Sequence, residues 1–441
     1  MRSRVLTIVA GLVLAIGLAT PPAFTQNATA GTALFVEAYR ILRNEALGRP
    51  TPETLLRGAE AGLQQVIRTD GAPFGLSSLQ LSGEERPDLD AFVQRIESVQ
   101  AHVRRPIFAV YGAIGGMVTA LGDPNSAFYT PDAFASFIRR TRGDDFVGIG
   151  IVLETRDGQS VIADVLEDSP AAESGLHVGD VIVSVDGQST VGLSLDRVSE
   201  LIRGSAGSQV SVRVRRQGDN EITATMVRRR IQQRVVSSKM LPSGMGHLRL
   251  TQFTEGSSDL VARALQGLIE QGAKGIVLDM RGNPGGLLDA SVNIASHFME
   301  RGTVVTLESR RGNVAHAVVP RTPKYSGPLV VVVDRGSASA SEVVAGALQD
   351  GGVKVIGTRT YGKGTVQAVY TFPADQSGLR VTIARYLTPS GRDLEGRGLT
   401  PDFEIPTAGA PIGSADDQAL NRAVALLQQA SSTTTVQRVA P

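Results

Sequence analysis

Three serines, Ser337, Ser339 and Ser341, stand on alternate positions in "RGSASASEVVAGALQD", residues 335–350. The segment follows "LVVVVD", a continuous apolar run of the kind shown by a strand covered on both faces. From Glu342 onward "EVVAGALQ" is a good helix body, so the serines occupy a strand-to-helix turn. Ser339 and Glu342 have the S-x-x-E spacing of a capping box, and a plain helix cap is the simplest role for Ser339. The same position places a hydroxyl at a helix N-terminus, where partial positive charge favours a developing oxyanion. Ser337 and Ser341 are served less well, and spacing alone does not exclude them.

A serine hydroxyl is a poor nucleophile until a base removes its proton. The five histidines, His102, His177, His247, His297 and His316, lie outside this segment and show no HExxH-type spacing. Downstream, "TYGKGTVQAV" offers Lys363 between two glycines. An amine at its reference pKa of about 10.4 is protonated near neutrality, but burial in an apolar site lowers it by several units. An exposed loop lysine is the ordinary alternative. Gln367 would orient such an amine without adding charge. Four residues of regular strand span about 13 Å, so Gly362 or Gly364 must bend the chain if Lys363 and Gln367 are to meet. "LDMRGNPGGLL" adds a loop, Arg281 to Gly286, whose glycine N–H groups could face an oxyanion or form a plain turn.

These segments need a scaffold, and 441 residues suffice for two or three domains with their own cores. A hydrophobic content of 42% with 20% charged residues reads as globular. A net charge of +1 gives no basic field for a nucleic-acid partner. Cysteine is absent, which excludes disulfides, thiolate metal sites and thiol catalysis. With the histidine spacing, this predicts no metal centre. At the N-terminus, Arg2 and Arg4 precede an uncharged run from Val5 to Ala19, then Pro21-Pro22 and the small-residue pattern Ala28-Thr29-Ala30. This has the parts of a secretory signal and predicts work outside the cytoplasm, in the periplasm or cell envelope. An uncleaved anchor in residues 1–30 is the alternative, and the expected membrane contact goes no further.

Residues 31–145 read as helical. "TPETLLRGAEAGLQQVI" opens with Thr51 as N-cap and Pro52 at the first helical position, and Leu89, Phe92, Val93, Ile96, Val99 and Val103 make a later stripe. Between residues 146 and 230 the texture changes to short β-runs with glycine and aspartate turns. "SPAAESGLHVGDVIVSVDG" resembles the helix-to-strand segment of a PDZ domain. "FVGIGI" falls where that fold binds a carboxylate, with Val147, Gly148, Ile149 and Gly150 offering successive N–H groups. A ligand's last residues would add as a strand to the sheet edge. Residues 231–406 alternate strands and helices as an α/β core. Residues 407–441 hold a tail with the short amphipathic helix "QALNRAVALLQQA", which is marginal if unpaired. The expected class is mixed α/β, with a helical N-terminal region, a β-rich PDZ-like domain, an α/β core with a mixed sheet and a C-terminal helix.

Taken together, "LGDPNSAFYTPDAF", the PDZ-like unit, "GHLRLTQFTEGSSDL", "GIVLDMRGNPGGLL", "GSASASEVVAGALQD", "YGKGTVQ" and "LTPSGRDLEGRGLTPD" resemble the carboxyl-terminal processing peptidases, or tail-specific proteases, a Ser–Lys family. The likeness spans nearly the whole chain beyond residue 30, although the stretch Asp70 to Pro87 is longer than the family's pattern and the loop after Asp350 is shorter. The resemblance implies Ser339 as nucleophile, Lys363 as general base and Gln367 as the group orienting the lysine. It matches the family's acidic residue to Asp350, and the oxyanion donors to the amides of Ala340 and Gly285 or Gly286, Gly286 being preferred. It implies an exported serine endopeptidase acting on the C-terminal tails of other exported proteins, without metal or organic cofactor. Such relatives form homo-oligomers and some use an adaptor protein. The rival readings are a non-catalytic peptide-binding scaffold or chaperone on the same fold, and a hydrolase of small esters.

Overall fold

The computed structural model describes residues 30–437, apart from 144–145, 157, 167, 194, 217–219, 232–233, 318–322 and 408–409. The signal or anchor expected in residues 1–30 falls, but for Ala30, outside the described residues. Among the described residues no helix is long and apolar enough to cross a membrane. The chain forms two compact units, Gly143–Arg234 and the remainder.

The larger unit begins with helices α1 (Ala30–Glu45), α2 (Pro52–Asp70), α3 (Glu85–Gln100) and α4 (Pro106–Ala120). The start of α2 forms as its sequence dictates, with the Thr51 side chain accepting from Thr54 N–H and Pro52 in the first turn. Helix α4, "PIFAVYGAIGGMVTA", is apolar all round and buries Ala109, Val110, Ala113, Ile114 and Met117. It lies backbone to backbone on α2. A Cβ on Gly62 would sit 1.9 Å from Gly112 O, and one on Gly116 would sit 2.1 Å from Gly58 O, so only glycine permits this approach. The irregular link between α2 and α3 is packed down by Ala72, Phe74, Leu76, Leu79 and Leu81, and it ends where Ser82 and Gly83 donate to the Asp88 carboxylate.

The next layer is a five-stranded sheet: Ala127–Tyr129, Thr303–Ser309, Gly312–Ala317, Thr365–Thr371 and Gly378–Leu387. Helix α5 (Pro131–Arg142) follows its first strand. The last two strands are buried from both sides. Ala368, Tyr370, Leu379 and Val381 join the helical core, while Val366, Val369, Ala384 and Tyr386 join the central one.

The second sheet has six strands. Gly246–Leu250, Ile276–Asp279, Leu329–Val333, Lys354–Gly357 and Phe403–Glu404 run parallel in that order, with Val236–Met240 antiparallel at the edge. Val331 and Val333 face one cluster, with residues of the helices α8 (Ser257–Glu270), α9 (Leu288–Ala295) and α10 (Ala340–Asp350). Val330 and Val332 face another, with α11 (Gln418–Gln437). This double cover is why the strand sequences read as unbroken apolar runs. Helix α11 is longer than its sequence suggested, and it is not unpaired: Ala419, Leu420, Ala423 and Leu427 bury against Met245, Val277 and Ile356.

In the smaller unit, Phe146–Gly148 pairs with Arg229–Ile231. A second sheet holds Ile151–Arg156, Gln159–Val165, Val181–Val185, Gln209–Arg216 and Asn220–Val227, with the short Gln188–Ser189. Helices α6 (Pro170–Glu173) and α7 (Leu195–Ile202) accompany it, over a core of Ile149, Ile162, Ile182, Val198, Val210, Val212 and Val214.

Candidate active site

The serine turn leaves the C-terminal end of strand Leu329–Val333 and enters α10. Its three hydroxyls have different fates. Ser337 Oγ donates to Met280 O at 2.8 Å, and Ser341 Oγ donates to Asn283 O at 2.9 Å, so both are used in holding the turn. Ser339 Oγ is buried with no hydrogen-bond partner. Ser339 and Glu342 do take up the capping-box arrangement, in which Ser339 N–H donates to Glu342 Oε2 at 2.8 Å while the serine oxygen makes no hydrogen bond of its own. The cause lies in the backbone. Ser339 has φ 56° and ψ −113°, a strained conformation for a residue with a Cβ, unlike the extended backbone of an ordinary N-cap.

Glu342 is the hub of the site, a role beyond the cap partner its spacing suggested. It is fully buried, and Oε2 also accepts the N–H of Lys363 at 2.9 Å. The main chains at Ser339 and Lys363 thus share one carboxylate oxygen and lie no further apart than these two bonds laid end to end. Oε1 takes the Gly362 N–H at 2.8 Å and the Thr360 hydroxyl. Burial pushes the Glu342 carboxyl above its usual range, against these hydrogen bonds, which hold it down. Tyr386, also buried, donates to Ser339 O at 3.3 Å.

Lys363 lies just before strand Thr365–Thr371, beside two glycines. Gly362 has φ 91°, and Gly364 N–H is held by Glu395 Oε2 at 2.6 Å. Burial pushes the Lys363 amine down to about 8. Gln367 is buried on the strand, and its Nε2 donates to Thr365 Oγ1 at 3.0 Å and Thr382 Oγ1 at 3.2 Å. Its Oε1 is left buried and unpaired, an acceptor with no donor. No hydrogen bond joins Ser339 Oγ or Gln367 Oε1 to the lysine, since neither atom has a partner.

The glycine loop after strand Ile276–Asp279 is fastened at each end. The buried Arg281 guanidinium pairs with Asp279 and, through both nitrogens at 2.8 Å, with Asp417 just before α11. Asn283, also buried, donates from Nδ2 to Leu250 O and accepts Gly285 N–H on Oδ1, both at 2.9 Å. Its carbonyl receives Ala338 N–H, which joins the loop to the serine turn. Gly285 has φ 103°, and a Cβ there would lie 2.9 Å from Ser339 Cβ. Asn283 occupies the Gly285 amide, while the amides of Gly286 and Ala340 have no acceptor among the described residues.

Comparison with known proteins places this geometry. Residues 244–405 match the model of peptidase family S41, and 161–216 match that of a PDZ domain. A carboxyl-terminal-processing protease of Picosynechococcus sp. is 33% identical over 343 residues, covering 75% of this chain and 82% of the relative. The chain belongs to the carboxyl-terminal processing proteases of peptidase family S41. The carboxy-terminal processing protease CtpA of Bacillus subtilis is 34% identical over 67% of this chain, which spans 64% of that relative. A solved photosystem II D1 C-terminal processing protease is similar over 89% of this chain and 100% of its own, with a TM-score of 0.61 and 29% identity.

In this C-terminal processing protease, the PDZ loop also carries free amides. Val147 and Gly148 lie in the strand paired with Arg230 and Arg229. Ile149 and Gly150 N–H have no acceptor among the described residues, while their carbonyls accept from Ala171 and Leu166. Asp350 is not brought to the serine. It closes α10 eleven residues on, about 16 Å along the axis, where it accepts Ser390 N–H and pairs with Arg392. Asp123–Ser126, to which the sequence assigned no role, reaches strands Thr365–Thr371 and Gly378–Leu387: Asn125 Nδ2 donates to Thr365 Oγ1 at 3.4 Å, and Thr382 N–H donates to Ser126 Oγ at 3.1 Å. Its only sequence signal was the quoted "LGDPNSAFYTPDAF".

Proposed function

We propose that this protein is an exported serine endopeptidase that captures the free C-terminus of extracytoplasmic proteins with its PDZ domain and cleaves by a Ser–Lys mechanism. One observation carries the reading. Of the three serines in the turn, Ser339 alone keeps a buried, unpaired hydroxyl, and its amide shares a single Glu342 oxygen with the amide of Lys363.

Neutral Lys363 takes the Ser339 proton, and the serine oxygen attacks the scissile carbonyl. The oxyanion rests on the amides of Ala340 and Gly286, and the Gln367 carbonyl oxygen steadies the amine. The protonated lysine then serves the leaving amine, and water repeats the sequence on the acyl-enzyme. Val147 to Gly150 receive the tail carboxylate, with the tail added as a strand. Export through residues 1–30 and a homo-oligomer built on the N-terminal helices and C-terminal tail belong to the same reading.

The test uses an exported protein substrate with a free or an amidated C-terminus. Ser339→Ala and Lys363→Ala should each lower kcat by at least about a thousandfold. Undiminished cleavage by either variant removes the mechanism, and equal rates on the two substrates remove the carboxylate capture. With the lysine held at about 8, kcat/KM should climb with pH through that value and then level. A lysine left at its ordinary value would keep the rate climbing beyond about pH 10.

A further inference from the structure

Charged groups from four elements act on Lys363: Glu342 from α10, Glu395 from the loop after strand Gly378–Leu387, Asp123 from the loop after α4, and Arg380 from that strand itself. Arg380 is the cation among them, and no carboxylate of the described residues lies within ion-pair distance of it. Its side chain is held instead by neutral groups. Nε donates to Asn125 O at 2.8 Å, and the guanidinium carbon sits 5.7 Å from the Tyr129 ring centre and 5.6 Å from that of Phe137. Such a seat fixes the guanidinium with no counter-ion to cancel its field.

The seat is built into the frame that holds Gln367. Arg380 stands two residues before Thr382, so both side chains leave the same face of the strand. Thr382 is opposite Gln367 and receives its Nε2, and Arg380 is opposite Val369, two residues on from Gln367. Asn125 closes the circuit, taking Arg380 on its carbonyl and reaching Thr365 Oγ1, which also accepts from Gln367.

We propose that Arg380 is a positioning residue for the hydrolysis, a fixed and unneutralised cation that repels the protonated form of Lys363 and so favours the neutral base. The proposal rests on the reading of Lys363 as the base. Burial is the largest cause of the low lysine value, and the charge of Arg380 works in the same direction. Glu395, Asp123 and Glu342 work against it. Without Arg380 only burial opposes these anions, and the amine holds its proton to higher pH.

The experiment is the pH dependence of kcat/KM for the full chain on a tail-bearing peptide. Arg380→Gln should move the acid limb up by about half a unit, a roughly threefold loss below the limb that vanishes at high pH. Arg380→Lys keeps the charge and should leave the limb in place. Should Arg380→Gln fail to fold, Arg380→Met keeps the stem packed on Tyr129 and Phe137 and carries the same expectation. An equal loss at every pH, with the limb unmoved in an enzyme that still needs Ser339 and Lys363, overturns the role of Arg380 alone. Activity surviving Ser339→Ala or Lys363→Ala overturns the reading beneath it.

Discussion

The core loop and the PDZ loop each leave backbone amides without an acceptor among the described residues, and they are held in different ways. In the protease core, Gly286 and Ala340 are framed by side chains: Asn283 grips Gly285 and Leu250, the Asp334 carboxylate takes the amides of Gly282, Gly336 and Ser337, and Glu342 takes those of Ser339 and Lys363. In the PDZ domain, Ile149 and Gly150 are framed mainly by main chain, through Ala171 N–H at 2.8 Å and Leu166 N–H at 2.9 Å, with one long side-chain bond from Ser169 Oγ to Gly150 O at 3.4 Å. The difference follows from the proposed tasks. An oxyanion exists only fleetingly, and its donors must already be in place, so buried side chains fix them. A carboxylate tail is a stable ligand that can settle into a nest and zip up as a strand, for which a regular backbone suffices.

Asn283→Ala is the sharpest way to break that contrast. It releases the Gly285 amide and strips the donor from Leu250 O, while the serine and lysine stay. A fall in kcat of about a hundredfold is expected, with the affinity for an uncleavable tail peptide unchanged. Comparable kcat in wild type and variant would mean that the core loop, like the PDZ loop, is held mainly by its main chain.

Next in size is Gly150→Val. Gly150 has φ 82°, and a Cβ there would lie 2.2 Å from the Ser169 Cβ, so the loop must move. The tail-peptide Kd should rise about tenfold, seen by titration, while a short substrate without a tail is turned over as before. An unchanged Kd would show that the amides of this loop are not what the tail engages.

Sequence made some of this contrast legible and hid the rest, for a physical reason. Thr51 and Pro52 announce the start of α2 because capping is settled within four residues. The apolar strand runs report their double cover directly. The same local logic paired Ser339 with Glu342, yet it could not show the positive φ of Ser339 or the missing hydrogen bond at its oxygen. Helix α4 was legible only as part of a helical region because an all-apolar helix has no stripe, and its packing rests on two glycine pairs, Gly58 with Gly62 and Gly112 with Gly116, meeting across sequence. The frame behind Gln367 depends on Asn125 reaching Thr365 over 240 residues, and the root of the glycine loop on Arg281 reaching Asp417 over 136. Contacts of that span leave no local pattern.

The smallest expected effect tests the contrast from the other side. Ser169 is the buried N-cap of α6, accepting Ala172 N–H at 3.2 Å, and it packs on Gly150. Ser169→Ala should cost about 1 kcal/mol of stability, read as a lower unfolding midpoint. Ser169 Oγ also donates to Gly150 O, at a long 3.4 Å, but the shorter bonds from Ala171 and Leu166 remain when it is lost, so the tail-peptide Kd should change by no more than about twofold. Two side-chain polar contacts are deleted here, as in Asn283→Ala, and the functional consequences should differ by more than an order of magnitude. A tail affinity that collapses in Ser169→Ala as it does in Gly150→Val would show the PDZ loop leaning on its side chains after all, and the division between a side-chain-framed site for the oxyanion and a main-chain-framed site for the tail would no longer hold.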